Sequence, residues 1–140
     1  MLVVCDANVL ASGTLGLRRT HSAPGAVLRQ ILRGDVAVAL SEPILREFAR
    51  TLEKPYFAAR LTEEERRATV NSVWDVALDA LLTREVHGVA THPEDDLVLA
   101  PALSVTAEFL VTGDKALLAL GPWEGVQIVA PATFLALQRM

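Results

Sequence analysis

Four short apolar runs set the terms for this chain: Leu2–Cys5 (LVVC), Val36–Leu40 (VAVAL), Phe109–Val111 (FLV) and Val126–Val129 (VQIV). A strand with one wet face alternates apolar and polar residues, whereas LVVC is continuous and so must be covered on both faces. Longer stretches with helical spacing separate the runs. Val27, Leu28, Ile31 and Leu32 recur with a helical period between Ala23 and Arg33, and Gly34 ends that pattern. Pro43, preceded by Ser41 and Glu42, suits a first helical turn, and the helix it opens runs to about Glu53, with Glu42 placed to cap it. Thr62-Glu63-Glu64-Glu65 is a capping box. The helix behind it is predicted to reach about Leu82, with Val70, Val73, Trp74, Ala77 and Leu81 on one face. Further helices are predicted from about Glu94 to Ala107, over Asp114–Leu120, and from Pro131 onward. Strands alternating with helices predict an α/β fold in three layers, a central parallel sheet of four or five short strands flanked by helices. With 140 residues and no repeat or linker, one domain spanning 1–140 is expected.

Composition narrows the function classes. Hydrophobic residues at 51% against 21% charged exclude a disordered tail, and 5% aromatics leave Ala, Val and Leu to build the core. A single cysteine, Cys5, rules out an internal disulfide, and its apolar run makes it a core residue. His21, His87 and His92 lack the spacing of a structural zinc site. No apolar stretch approaches the roughly 20 residues of a membrane span, and no secretory leader opens the chain, so a cytoplasmic protein with no membrane partner is expected. Seventeen acids against thirteen bases argue against nucleic-acid binding by bulk positive charge. They leave room for acids gathered on a metal.

The acids fall where ligands bind. In open parallel sheets that place lies beyond the carboxyl ends of the strands. Asp6 follows the first strand, Glu42 and Glu47 follow the second, and Asp114 follows the third. At 100° per residue, Asp96 shares a stripe with Ala100, Leu103 and Ala107, while Asp95 points away from it. An ionised carboxylate on a core-facing stripe is costly unless it is paired or bound to metal. A helix N-terminus offsets only about 0.3–1 kcal/mol of that cost. Asp96 is thus the ligand candidate and Asp95 a cap or supporting acid. Glu47 flanks the apolar stripe of Ile44, Leu45, Phe48, Ala49 and Leu52, within reach of the sheet edge. Carboxylates converging without Cys or His favour one or two Mg²⁺ or Mn²⁺ ions. The chemistry of such clusters is phosphoryl transfer or phosphodiester hydrolysis, in which the metal lowers the pKa of a water and stabilises the leaving oxygen.

VVCDANVLAS, SEPILREF, PEDDLVLAPAL and FLVTGDKALL, in that order and spacing, resemble the PIN-domain family, and within it the toxins of toxin–antitoxin pairs. The resemblance covers almost the whole chain. It implies a small α/β fold and a Mg²⁺- or Mn²⁺-dependent endoribonuclease acting on single-stranded RNA. It also implies Asp6, Glu47, Asp96 and Asp114 as the four catalytic and metal-binding acids, with Asn8 and Thr112 supporting them, a small antitoxin as partner, and a homodimer. Two positions depart from the family pattern: His92 stands where a further Asp is frequent, and Pro101 where Ala is usual. A helix-interior proline removes a hydrogen bond at about 3 kcal/mol, which bears on where Asp96 is held.

Other readings have their own signatures. A receiver-like signalling domain would also gather acids around Mg²⁺, and Thr112 and Lys115 suit it, but it needs paired acids after the first strand, where Asp6 stands alone. A haloacid-dehalogenase-like phosphatase needs Asp-x-Asp there, and Asp6 is followed by Ala7 and Asn8. A PIN fold kept only for binding is the remaining alternative. For RNA phosphates the available cations are Arg18 and Arg19 after the first strand and Arg46 and Arg50 on the Glu47 helix. The Trp74 helix is the candidate homodimer face. Setting aside the four site acids leaves as many acids as bases, so the net −4 is equally readable as one metal site.

Overall fold

The computed structural model describes residues 1–79 and 93–139, the side chains of 93–97 excepted. Strands β1 (Leu2–Cys5), β2 (Ala37–Leu40), β3 (Leu78–Asp79), β4 (Phe109–Val111) and β5 (Gln127–Val129) form one all-parallel sheet in the order β3-β2-β1-β4-β5. Around it lie α1 (Ala7–Gly16), α2 (Ala23–Arg33), α3 (Glu42–Leu52), α4 (Pro55–Ala58), α5 (Glu63–Val76), α6 (Pro93–Ser104), α7 (Lys115–Ala119) and α8 (Pro131–Gln138). The chain steps outward from β1 to β3, then returns to the other side of β1 for β4 and β5. Right-handed crossovers therefore set the helices of the first half on one face and α6 and α7 on the other. The order reverses between β1 and β4, and a ligand crevice belongs there, outside the carboxyl ends of the strands. Val3, Val4, Cys5, Leu110 and Val111 are wholly buried, as a doubly covered sheet requires.

Helix starts follow the sequence closely. Asp6, Ser22, Ser41, Thr62 and Asp114 each accept a backbone N–H from the first turn of the helix they open. The cap of α3 is Ser41, not Glu42, whose longer side chain instead pairs with Arg46. In the Thr62–Glu65 box both reciprocal bonds are present at 3.1 Å.

Three elements differ from expectation. Helix α1 fills what reads as a loop after the first strand. Seven of its ten residues are buried, so it has no wet face to reveal a helical period. Glycines allow that burial: a Cβ on Gly16 or Gly25 would collide with the facing helix, and one on Gly13 would lie 2.8 Å from the Pro24 carbonyl. Helix α5 stops at Val76 rather than near Leu82. Ala77 turns extended, and Leu78 and Asp79 pair with Ala39 and Leu40 on the open side of β2. Of its expected apolar face, Val73 is buried, Trp74 is 55% exposed, and Leu81 lies outside the described residues. The short α4, opened by Pro55, has no periodic signal in four residues.

Helix α6 passes through Pro101, which is buried and removes one bond from the helix ladder without ending it. Glu108, just beyond, donates its N–H to the Leu2 carbonyl at 2.9 Å, which sets the end of α6 at the amino edge of the sheet. Twelve residues back, about 18 Å, its first turn reaches the carboxyl edge. That turn carries Asp95 and Asp96.

Candidate active site

The crevice between β1 and β4 is built around Asp6. Its N–H bonds the Val111 carbonyl at 3.1 Å, continuing the β1–β4 ladder one residue past the strand. The backbone then turns into α1 and leaves the carboxylate 6% exposed. One oxygen, Oδ1, accepts the Val9 N–H at 2.9 Å, and the other, Oδ2, accepts the hydroxyl of fully buried Thr112. Thr112 follows β4 and is held by its own N–H on the Val129 carbonyl at 2.9 Å. Its Oγ1 also accepts the N–H of Asp114 at 3.0 Å. Asp114 in turn caps α7, with Oδ1 accepting Ala116 N–H at 2.7 Å and Leu117 N–H at 3.2 Å. One hydroxyl thus ties the two acids on either side of the topological reversal.

Burial pushes the Asp6 carboxyl above its ordinary pKa. The Thr112 hydroxyl and Val9 N–H pull it back, the charge on Asp114 raises it further, and the Asn8 N–H lowers it slightly. Cys5, one residue earlier, is wholly buried, and desolvation with the Asp6 charge pushes its thiol far up, making it an inert core group. A carboxyl whose pKa is raised by burial and by a second carboxylate marks a place short of positive charge. The donors facing it are hard oxygens, the set that suits Mg²⁺ or Mn²⁺. Among the described residues, no three His, Cys, Asp or Glu side chains stand together as a metal cage.

The other sequence candidates lie elsewhere. Glu47, on α3, is exposed and pairs with Arg50 at 2.8 Å. Arg46 pairs with Glu42 one turn earlier. The Asn8 side chain is exposed, and its backbone N–H is what acts on Asp6. Asp95 and Asp96 belong to the first turn of α6, with side chains outside the described set, and His92 lies outside it altogether. Arg18 and Arg19 are separated from Asp6 by the whole of α1, about 15 Å. There they line a groove of about 510 Å³ with Arg60 and Glu65, and Arg18 pairs with Glu65. Arg60, which no sequence pattern marked, is fixed by stacking 3.9 Å over the Tyr56 ring and by a 2.7 Å bond to the Tyr56 carbonyl. Only the turn of α4 brings it to the groove.

Among the described residues no helix is long and apolar enough to cross a membrane. No curated protein matches the chain in sequence. A solved structure shares its fold: VapBC2 from Rickettsia felis, bound to a DNA fragment from its promoter. That chain is 11% identical with a TM-score of 0.55, and the match covers 91% of this chain and 97% of the other. The family profile for the PIN domain matches residues 2–116. PIN domains are generally nucleases that use divalent metal ions. The match takes in β1 through β4 and the crevice between them, and the chain belongs to the PIN-domain family.

Proposed function

We propose that the protein is a Mg²⁺- or Mn²⁺-dependent endoribonuclease hydrolysing phosphodiester bonds in single-stranded RNA, working in the cytoplasm as the toxin of a toxin–antitoxin pair. The observation that carries this reading is the Asp6–Thr112–Asp114 arrangement at the reversal between β1 and β4. Asp6 and Asp114 are the core of the metal site, Asp96 and Glu47 complete it, and Thr112, Asn8 and Asp95 support it. These residues would hold the cation, which when bound would supply Lewis acidity to activate a water and to stabilise the leaving oxygen. The chain's own part is orientation. Thr112 and the Val9 N–H fix both oxygens of Asp6 before substrate arrives, so no ordering cost falls on the reacting complex.

Arg46 and Arg50 on α3, and Arg18 and Arg19 beyond the end of α1, serve RNA phosphates along the strand. A small antitoxin is supported by the family resemblance and by the shared fold with a chain of the VapBC2 assembly. The test is cleavage of single-stranded RNA with Mn²⁺. Wild-type protein cuts, excess EDTA stops it, and Asp6→Asn is inactive with an unchanged circular dichroism spectrum. Cleavage that persists in EDTA rejects the metal mechanism, and no cleavage under any divalent cation rejects the enzyme.

A further inference from the structure

Trp74 is out of keeping with its protein. It is one of two tryptophans in an aromatic-poor chain, and it stands 55% exposed instead of joining the core. It lines a pocket of about 220 Å³ with buried Leu40 and Leu45 and exposed Leu78, and Glu42 and Asp79 are the polar residues of that lining. Leu40 ends β2 and Asp79 ends β3, so the pocket opens on the carboxyl edge of the sheet, the edge that carries Asp6. The β1–β2 register pairs Leu2 with Ala37 and Val3 with Val38, and continuing it sets Leu40 beside Cys5, the residue before Asp6. One strand spacing, about 4.8 Å, separates the two strands.

We propose that this pocket takes one nucleobase of the RNA strand, stacked on Trp74 and hydrogen-bonded to Asp79. The inference rests on the ribonuclease reading and names the base-recognising part of that same site. An exposed indole beside an apolar floor fits a base, because every base has a π-face to stack. The acids set the polarity of what can enter. Glu42 is engaged by Arg46, while the Asp79 carboxylate, beyond the backbone pairing of β3, has no side-chain hydrogen bond or ion pair among the described residues. A carboxylate only accepts, so it repels phosphate and favours bases with an exocyclic amine, as in cytosine, adenine and guanine, over uracil, whose exocyclic groups only accept and whose sole base-edge donor is its ring N3–H. Self-association through Trp74 is disfavoured by the same charges: a two-fold contact presses each patch on its own copy and brings like acids together.

The experiment uses the full chain carrying Asp6→Asn, to stop cleavage, and Trp123→Phe, to leave Trp74 as the sole indole. Oligo(C), oligo(A) and oligo(U) are titrated in Mn²⁺ while Trp74 emission and the polarisation of labelled RNA are followed. Saturable quenching is expected, with oligo(C) binding about five- to tenfold tighter than oligo(U). Asp79→Ala should erase that preference. Trp74→Ala should weaken all three by about tenfold, and Trp74→Phe should restore most of the loss. Wild-type protein that cleaves RNA while Trp74 emission ignores every oligomer overturns the inference and leaves the ribonuclease reading intact. Emission that follows protein concentration without RNA assigns the face to self-association and overturns it equally. Wild-type protein that neither cleaves nor binds RNA removes the ribonuclease reading, and this inference with it.

Discussion

Asp6 and Glu47 are both carboxylates implied as metal ligands, and the protein treats them in opposite ways. Asp6 is buried, with each oxygen already accepting a hydrogen bond, and the pull of burial against those bonds shows in its raised pKa. Glu47 sits 49% exposed on α3, and among the described residues its carboxylate pairs with Arg50. A fixed acid defines where a cation can sit. An exposed ion pair is worth about 0.2–1 kcal/mol and is readily exchanged for a stronger partner. On the proposed function the site is therefore half prepared: Asp6 and Asp114 are set by the fold, and Glu47 would have to leave Arg50 to join them.

Asp6→Asn breaks the comparison at its fixed end and should have the largest effect. Replacing the carboxylate keeps the shape and the Val9 bond while removing the charge. Mn²⁺-dependent cleavage should fall more than about a hundredfold, beyond the range typical of a supporting residue. Glu47→Gln should cost less, and cleavage rates for the two variants under saturating Mn²⁺ rank them. Equal losses would mean that the metal depends on Glu47 as heavily as on Asp6.

Thr112→Val comes next. It deletes the hydroxyl that joins Asp6 to the Asp114 N–H while conserving shape, leaving one buried acceptor short and one donor unbonded. Activity should drop about 10- to 100-fold, as when the orienting partner of a metal ligand is lost. Unfolding by urea should show a loss of about 1–3 kcal/mol. A stability loss without the activity loss would make Thr112 a packing residue only.

Arg50→Ala acts at the exchangeable end, in the opposite direction. Freed from its ion pair, Glu47 should bind Mn²⁺ more tightly, by up to about fivefold given what an exposed pair is worth. Calorimetric titration measures it. Unchanged or weaker affinity would show that Glu47 does not move to the cation.

The two ends also differ in how far the sequence revealed them. Asp6 and Asp114 stood out because each follows a strand that burial on both faces makes conspicuously apolar, and a parallel sheet presents all such ends at one edge. Both also proved to be helix caps, so the bland reading of these acids holds, and it leaves the functional one open to test. Glu47 was legible as a residue beside a stripe, but whether a surface acid turns to the crevice or to Arg50 is a choice between rotamers that periodicity does not encode. Helix α1 escaped because it is buried nearly all round and rich in glycine, which contradicts helix propensity locally and makes sense only against α2. Leu78 and Asp79 escaped because two residues carry no alternation, and their strand state comes from the open edge of β2.

Glu65 supplies the last and smallest test, since it lies at the surface like Glu47 yet is fixed like Asp6. Its carboxylate closes the capping box of α5 on the Thr62 N–H and pairs with Arg18. The bond from the Thr62 backbone, aided by the Thr62 hydroxyl and Arg18, outweighs desolvation and holds it below the usual carboxylate range. A carboxyl lowered in the folded state binds its proton more readily when unfolded. Its stabilisation is therefore complete above the unfolded value, near 4.3, and is lost as pH falls through the lower folded one. In Glu65→Gln the amide oxygen can still accept the Thr62 N–H while the titrating charge is gone. The variant should be slightly less stable than wild type at pH 7, and its melting temperature should fall less between pH 7 and pH 3. Thermal melts at the two pH values decide it. A Gln variant as acid-sensitive as wild type would show that hydrogen-bond geometry alone fixes a surface carboxylate here, and would direct the search for what anchors Glu47 away from charge.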